Sequence, residues 1–137
     1  ITKKLSKIFT MHKPHRIYTV NRSDSHSDHR ITFQATMASS KIFRHPYIKE
    51  ILMYECISET EFAPALSQDT FTPNLFIDIS KEMNKKVELV RVYESEIRKH
   101  PFPRSVKNVK ALATFRGATS GVKYAESFQI IKIIEIG

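Results

Sequence analysis

Between Asp24 and His29 the chain sets two imidazoles and two carboxylates within six residues, Asp24-Ser25-His26-Ser27-Asp28-His29. These residue types concentrate metal-binding and acid–base chemistry. Imidazole is the commonest biological ligand for zinc and its neighbours, and carboxylates orient and polarise it. The same six residues also suit a solvated polar loop that caps a helix, so spacing alone leaves both readings open. Position adds weight to the chemical one. The cluster follows a short β-rich run, Arg16-Ile17-Tyr18-Thr19-Val20, and leads into an amphipathic stretch from Ile31 to Phe43. In an open α/β sheet, ligand sites lie outside the carboxyl ends of the strands, where such a cluster falls.

The elements that must position it can be read along the chain. Ile1, Leu5, Ile8 and Phe9 recur at helical spacing, and Lys13-Pro14 stops that helix. Arg16 to Val20 reads as a strand. Ile31, Ala35, Ala38 and Ile42 predict the inward stripe of the next helix, ended by Arg44-His45-Pro46. Ile51 to Cys56 and Leu75 to Ile79 read as two further strands. Ser80 is the expected N-cap of a helix turning Met83, Val87, Val90 and Ile97 inward. Pro101-Phe102-Pro103 predicts an extended segment. Ser105 caps a helix through Phe115, and Gly117 and Gly121 loosen its end. The run Phe128 to Ile136 is β-rich, although its apolar doublets also fit a helix. Strands alternate with helices, so the expected class is α/β.

Composition bounds the function. A chain of 137 residues, 41% hydrophobic and 26% charged, is long enough for one domain with a core and too short for two. The formal charge is +8, yet the cations are scattered and no block of like charges marks a nucleic-acid arm. The single cysteine, Cys56, rules out an internal disulfide framework and fits a reducing compartment, so the expected location is the cytoplasm. No apolar run is long enough to span a bilayer, and no signal-peptide pattern opens the chain. Ile1 in place of Met suits a chain cut from something longer, and processing accounts for it equally well.

Asp24-Ser25-His26-Ser27-Asp28-His29-Arg30 resembles the second histidine motif of the LmbE-like, PIG-L-type metal-dependent deacetylases, which remove N-acetyl groups from amino sugars or their conjugates. The resemblance continues in the same order and spacing. Tyr54 to Phe62, Phe71 to Ile79, His100-Pro101-Phe102-Pro103-Arg104-Ser105, Arg116-Gly117 and Gly121 to Phe128 are similar to successive segments of the bacterial branch. One departure dominates. The family's His-Pro-Asp-Asp-Glu stretch is absent; His45-Pro46-Tyr47 and His100-Pro101-Phe102 lack the carboxylates. In the family that stretch supplies a histidine and an aspartate to the metal, and the aspartate that acts as general base. Residues 1–137 thus look like the C-terminal part of one such domain. The resemblance implies a three-layer, Rossmann-like fold with a mostly parallel sheet flanked by helices, incomplete because it lacks about the first hundred residues of a compact α/β unit.

The resemblance implies metal-assisted amide hydrolysis with zinc or another divalent metal, only weakly bound or absent in this chain alone. It assigns His29 as the one metal ligand present. His26 is the catalytic group that stabilises the oxyanion or protonates the leaving amine, and Asp28 is the partner that holds it. Asp24 and Arg104 are the candidate substrate-binding residues, although Asp24 also suits turn closure and Arg104 loop structure. His12, His15, His45 and His100 are weaker candidates, and Cys56, Tyr54 and Tyr93 read as packing residues. The expected partner is an N-acetylated amino sugar, with no nucleic acid and no membrane, in a homo-oligomer or with a missing N-terminal half. The alternatives are a non-catalytic truncated module of the same fold and a small basic polyanion-binding protein.

Overall fold

A computed structural model describes residues 1–135; Ile136, the end of the terminal β-rich run, lies outside the described residues. Contacts divide the chain into two compact units. One comprises Ile1–Asn74 and the chain from Phe128 onward, and the other comprises Leu75–Ser127.

The first unit opens with helix α1 (Thr2–His12), whose C-cap Lys13 takes the left-handed conformation at φ 46° just before Pro14. Strand β1 (Arg16–Val20) follows, then helix α2 (Ser27–Ser39) and strand β2 (Glu50–Tyr54). β1 and β2 pair in parallel, in register from Arg16 opposite Glu50 to Val20 opposite Tyr54. A parallel pair needs a crossover, and α2 provides it. Strand β4 (Ala125–Ile133) runs antiparallel to β2, from Glu50 opposite Ile133 to Tyr54 opposite Phe128, with a register shift between Ile51 and Leu52. Phe9, Ile17, Ile48 and Ile51 form the core here, with Leu5, Met37, Tyr47 and Ile131 packed against it.

The second unit holds strand β3 (Leu75–Asp78), helix α3 (Met83–Arg91), helix α4 (Val106–Ser120) and the start of β4. α3 and β3 both pack on α4. The strand order is β1-β2-β4-β3. The fold is α/β with a four-stranded sheet flanked by helices, in which β1 and β2 run parallel and β4 reverses direction against β2.

Several local expectations shift. α2 begins four residues earlier than the apolar stripe predicts, at Ser27, and ends at Ser39. Its buried residues are the small ones, Ala35, Thr36 and Ser39, while Ile31 and Ala38 are exposed and Ile42 lies beyond the helix. Small side chains let α2 approach α1 closely, and Ser39 Oγ donates to Thr2 O at 3.1 Å. Ser80 caps nothing; its N–H and Oγ both donate to Asp78 Oδ1, and its oxygen accepts from Tyr124 N–H. α3 therefore starts after Glu82 and ends at Arg91, short of Ile97. Tyr93, read as a packing residue, is exposed. The proline segment folds as successive turns rather than extended chain, with Phe102 N–H on Lys99 O and Ser105 N–H on Phe102 O. Ser105 does cap α4, accepting from Asn108 N–H at 3.2 Å. That helix runs on to Ser120 with Gly117 inside it, where a Cβ would stand 2.6 Å from Val122 O. No helix among the described residues is long and apolar enough to cross a membrane.

Candidate functional site

β1 ends at Val20, and a turn closed by Asp24 N–H on Asn21 O carries the chain into α2. His26 is the N-cap of that helix. Its Nδ1 accepts from Asp28 N–H at 3.1 Å, which satisfies one of the donors every helix start leaves over. A ring nitrogen that accepts carries no proton, so the neutral His26 ring bears its proton on Nε2. Asp28 and His29 then lie in the first turn of the helix, where the macrodipole favours the Asp28 carboxylate.

Asp24 is the centre of the arrangement. It is 0% exposed. Its Oδ1 receives Asn21 Nδ2 at 2.9 Å and Thr60 Oγ1 at 2.7 Å, and its Oδ2 faces His29 Nδ1 at 2.7 Å. A buried carboxylate is tolerated only when such donors replace its water. Nδ1–H of His29 donates to Asp24, so in the neutral ring the proton sits on Nδ1 and Nε2 keeps a free lone pair. The His29 side chain is 25% exposed, and its ring centroid lies 5.7 Å from that of His26. Two imidazoles thus sit side by side in opposite tautomers, one with a bare nitrogen and one with a free N–H. Arg30 clasps the loop from the other side, donating to Asp24 O at 2.8 Å and Ser25 O at 2.6 Å.

The segment after β2 closes over this loop. Ser25 Oγ donates to Glu59 Oε2 at 2.7 Å, and Ser25 N–H donates to Glu59 O at 3.1 Å. Tyr54, at the end of β2, has its phenol pushed up from the ordinary value, first by burial and then by the negative charges of Cys56 and Asp24.

The sequence-predicted residues are thus brought together in part. Asp24, His26, Asp28 and His29 share one loop and helix start. Asp24, expected to meet substrate, is fully buried and turned onto His29. The Asp28 carboxylate is exposed, and its link to His26 runs through backbone N–H rather than through the carboxylate. Arg104 belongs to the second unit, where Nη1 pairs with Glu96 at 2.8 Å and the guanidinium lies 6.0 Å from the Phe102 ring centroid. His45 proves a buried structural histidine, with Nδ1 2.7 Å from Tyr47 Oη and Nε2 3.0 Å from Ser6 Oγ. Asn21, Thr60 and Glu59 were missed as contributors. Asn21 had the signal of lying in the turn itself. Thr60 and Glu59 had none beyond the family-like segment that contains them, since Thr60 is 36 residues from its carboxylate partner.

Zinc at a catalytic centre takes three protein ligands plus water. No group of three His, Cys, Asp or Glu side chains comes together to hold a metal among the described residues. His29 fits as one imidazole ligand with its orienting carboxylate already in place. The described residues do not complete a zinc site on their own.

No family model matches the chain, and none of the curated proteins does. Solved structures do. The N,N'-diacetylchitobiose deacetylase from Pyrococcus horikoshii matches with a TM-score of 0.70 at 23% identity over 96% of this chain and 51% of that one. A conserved protein from Thermus thermophilus matches with a TM-score of 0.74 at 20% identity over 99% of this chain and 60% of that one. GalB, the 4-carboxy-2-hydroxymuconate hydratase from Pseudomonas putida KT2440, matches with a TM-score of 0.72 at 13% identity over 99% of this chain and 60% of that one. The chain therefore has the fold of these proteins and spans between 51% and 60% of their lengths. A deacetylase and a hydratase both carry that fold, so it does not select a reaction by itself.

Proposed function

We propose that this chain is the C-terminal part of an LmbE-like, PIG-L-type metal-dependent deacetylase domain that hydrolyses the N-acetyl group of an amino sugar or its conjugate. One observation carries the reading: a fully buried carboxylate, Asp24, fixes His29 by Nδ1 and leaves Nε2 bare at the carboxyl end of a parallel strand. Metal-ligating histidines are held in this way, the second nitrogen donating to a carboxylate that sets tautomer and orientation. The deacetylase among the fold neighbours supports the same reading.

His29 takes one ligand position, and residues outside this chain take the others. From this chain His29 would hold such a metal, which would supply Lewis-acid activation of a carbonyl and of water. This chain's own residues do the rest of their work through protons and position. His26, with Nε2–H free, donates to the oxyanion or to the leaving nitrogen. The Asp28 backbone N–H keeps the His26 ring in its tautomer through the cap. A non-catalytic module of the same fold is the second reading, favoured by the short donor set among the described residues.

The test extends the coding sequence upstream of Ile1 and assays the longer protein for zinc-dependent release of acetate from N-acetylglucosamine conjugates. Activity that disappears with His29→Ala together with the metal supports the deacetylase. An extended protein that binds zinc yet deacetylates none of these conjugates refutes it and leaves the non-catalytic module.

A further inference from the structure

Building on the proposed role of His29, we infer that Thr60, together with Asn21, is a positioning residue for that imidazole and acts through Asp24. The segment Tyr54 to Phe62 then has a task in the site: it reaches over from the end of β2 and fixes the orienting carboxylate of a loop that begins at the end of β1.

The protons can be followed along the chain of bonds. Cys56 N–H donates to Thr60 Oγ1 at 2.8 Å. With that lone pair occupied, the single hydroxyl proton is free to point to Asp24 Oδ1, 2.7 Å away. Asn21 Nδ2 donates to the same oxygen at 2.9 Å. Two donors on Oδ1 fix the carboxylate plane, and Oδ2 then meets His29 Nδ1 at 2.7 Å. An ionised carboxylate only accepts, so the imidazole must supply the proton of that last bond. The donations converge on Asp24, from Cys56 N–H through Thr60 O–H on one side and from His29 Nδ1–H on the other, which leaves Nε2 of the neutral ring bare. A free histidine side chain favours the opposite tautomer, with its proton on Nε2. The neutral ring is therefore held in the form whose Nε2 can bind a metal.

Thr60 is itself held. Thr60 N–H and Glu59 N–H donate to Cys56 O at 2.9 and 3.0 Å, which folds residues 56–60 into a tight turn. Glu59 is then fastened to Ser25 by backbone and side chain alike. The two loops are thus joined at neighbouring points, Glu59 on Ser25 and Thr60 on Asp24. Satisfied buried networks of this kind rigidify what they hold.

The experiment reads the His29 Nδ1–H proton by nuclear magnetic resonance in the 15N-labelled full chain, with no metal and no substrate. The wild type should show a protected Nδ1–H proton on His29. Thr60→Val, nearly isosteric but without the hydroxyl, should raise its exchange with water by about tenfold or more, tenfold being the lower end for one hydrogen bond to an ionised group. Thr60→Ser should restore protection. If Thr60→Val does not fold, Asn21→Ala removes the other donor from the same oxygen and is expected to give the same rise. A folded Thr60→Val chain with wild-type exchange overturns the inference, as does a wild-type ring protonated on Nε2 or a Thr60→Ser chain that stays unprotected. Because the readout involves neither metal nor turnover, its failure is separate from that of the deacetylase reading, which rests on acetate release.

Discussion

Replacing Asp24 by asparagine changes one atom of a side chain that water does not reach, and its consequences can be worked from the three bonds it makes. Asparagine keeps one carbonyl oxygen, which can still accept from Asn21 and Thr60. Its amide nitrogen must then face His29 Nδ1, where donor would meet donor. His29 resolves the clash by moving its proton to Nε2, so Nδ1 accepts from the new amide. Hydrogen bonds to an ionised group are worth about 1.5–3 kcal/mol against about 1 kcal/mol between neutral groups. Neutralising an acceptor of three such bonds should therefore cost about 3 kcal/mol. Asp24→Ala should cost more, about 3–6 kcal/mol, because three donors lose their acceptor in a site closed to water. Urea unfolding followed by circular dichroism, with linear extrapolation, measures both losses. The His29 tautomer is read separately from 15N chemical shifts. A loss below about 1 kcal/mol for Asp24→Ala, where three donors lose a buried acceptor, would refute the reasoning. So would an Asp24→Asn chain in which His29 still carries its proton on Nδ1.

Gly117→Ala should destabilise by about 1–3 kcal/mol, since its Cβ would meet Val122 O at 2.6 Å and Lys123 C at 2.8 Å, backbone atoms with little room to yield; an unchanged urea midpoint would refute that close approach. Ser105→Ala should cost about 1 kcal/mol through the lost cap of α4, measured in the same assay against Ser95→Ala, which caps no helix. The two Ser80 donors, side chain first and backbone second, lower the Asp78 pKa below the ordinary carboxylate value. A lowered folded-state pKa means the stabilisation is present above about pH 3.9 and is lost as pH falls through the folded value. Carbon-13 titration of Asp78 should accordingly show Ser80→Ala moving the carboxyl upward, and an unmoved titration would remove the assigned cause. Burial, with the charges of Cys56 and Asp24, raises the Tyr54 phenol, so its contribution to stability should hold below about pH 10 and fall as pH rises through the folded value; ultraviolet titration of the native chain against Tyr54→Phe checks the direction.

Much of the fold was legible locally. Lys13-Pro14 ends α1, Ser105 caps α4, and the β-branched run Arg16 to Val20 is a strand, because backbone sterics and capping act over a few residues. The histidine–aspartate cluster was equally legible, since its chemistry lies in residue types at short spacing. The inward face of α2 was not. Apolarity pointed to Ile31 and Ile42, but close helix packing selected Ala35, Thr36 and Ser39, and only the partner surface decides which size fits. Ser80 had the look of a cap, yet Asp78 and Tyr124 took its hydrogen bonds. The direction of β4 was likewise undetermined, because a strand's own pattern does not say which way its neighbour runs.

The roles within the cluster followed the same division. Residue types at short spacing established that imidazole and carboxylate chemistry would gather after β1. Which carboxylate serves which imidazole depended on tertiary structure. Asp28, next to His29 in sequence, points to solvent, while Asp24 is turned inward and meets His29 Nδ1. What turns it inward is Asn21 from its own turn and Thr60 from the far side of β2. A buried charge takes whichever donors the fold brings to it, and a contact across 36 residues leaves no trace in local spacing.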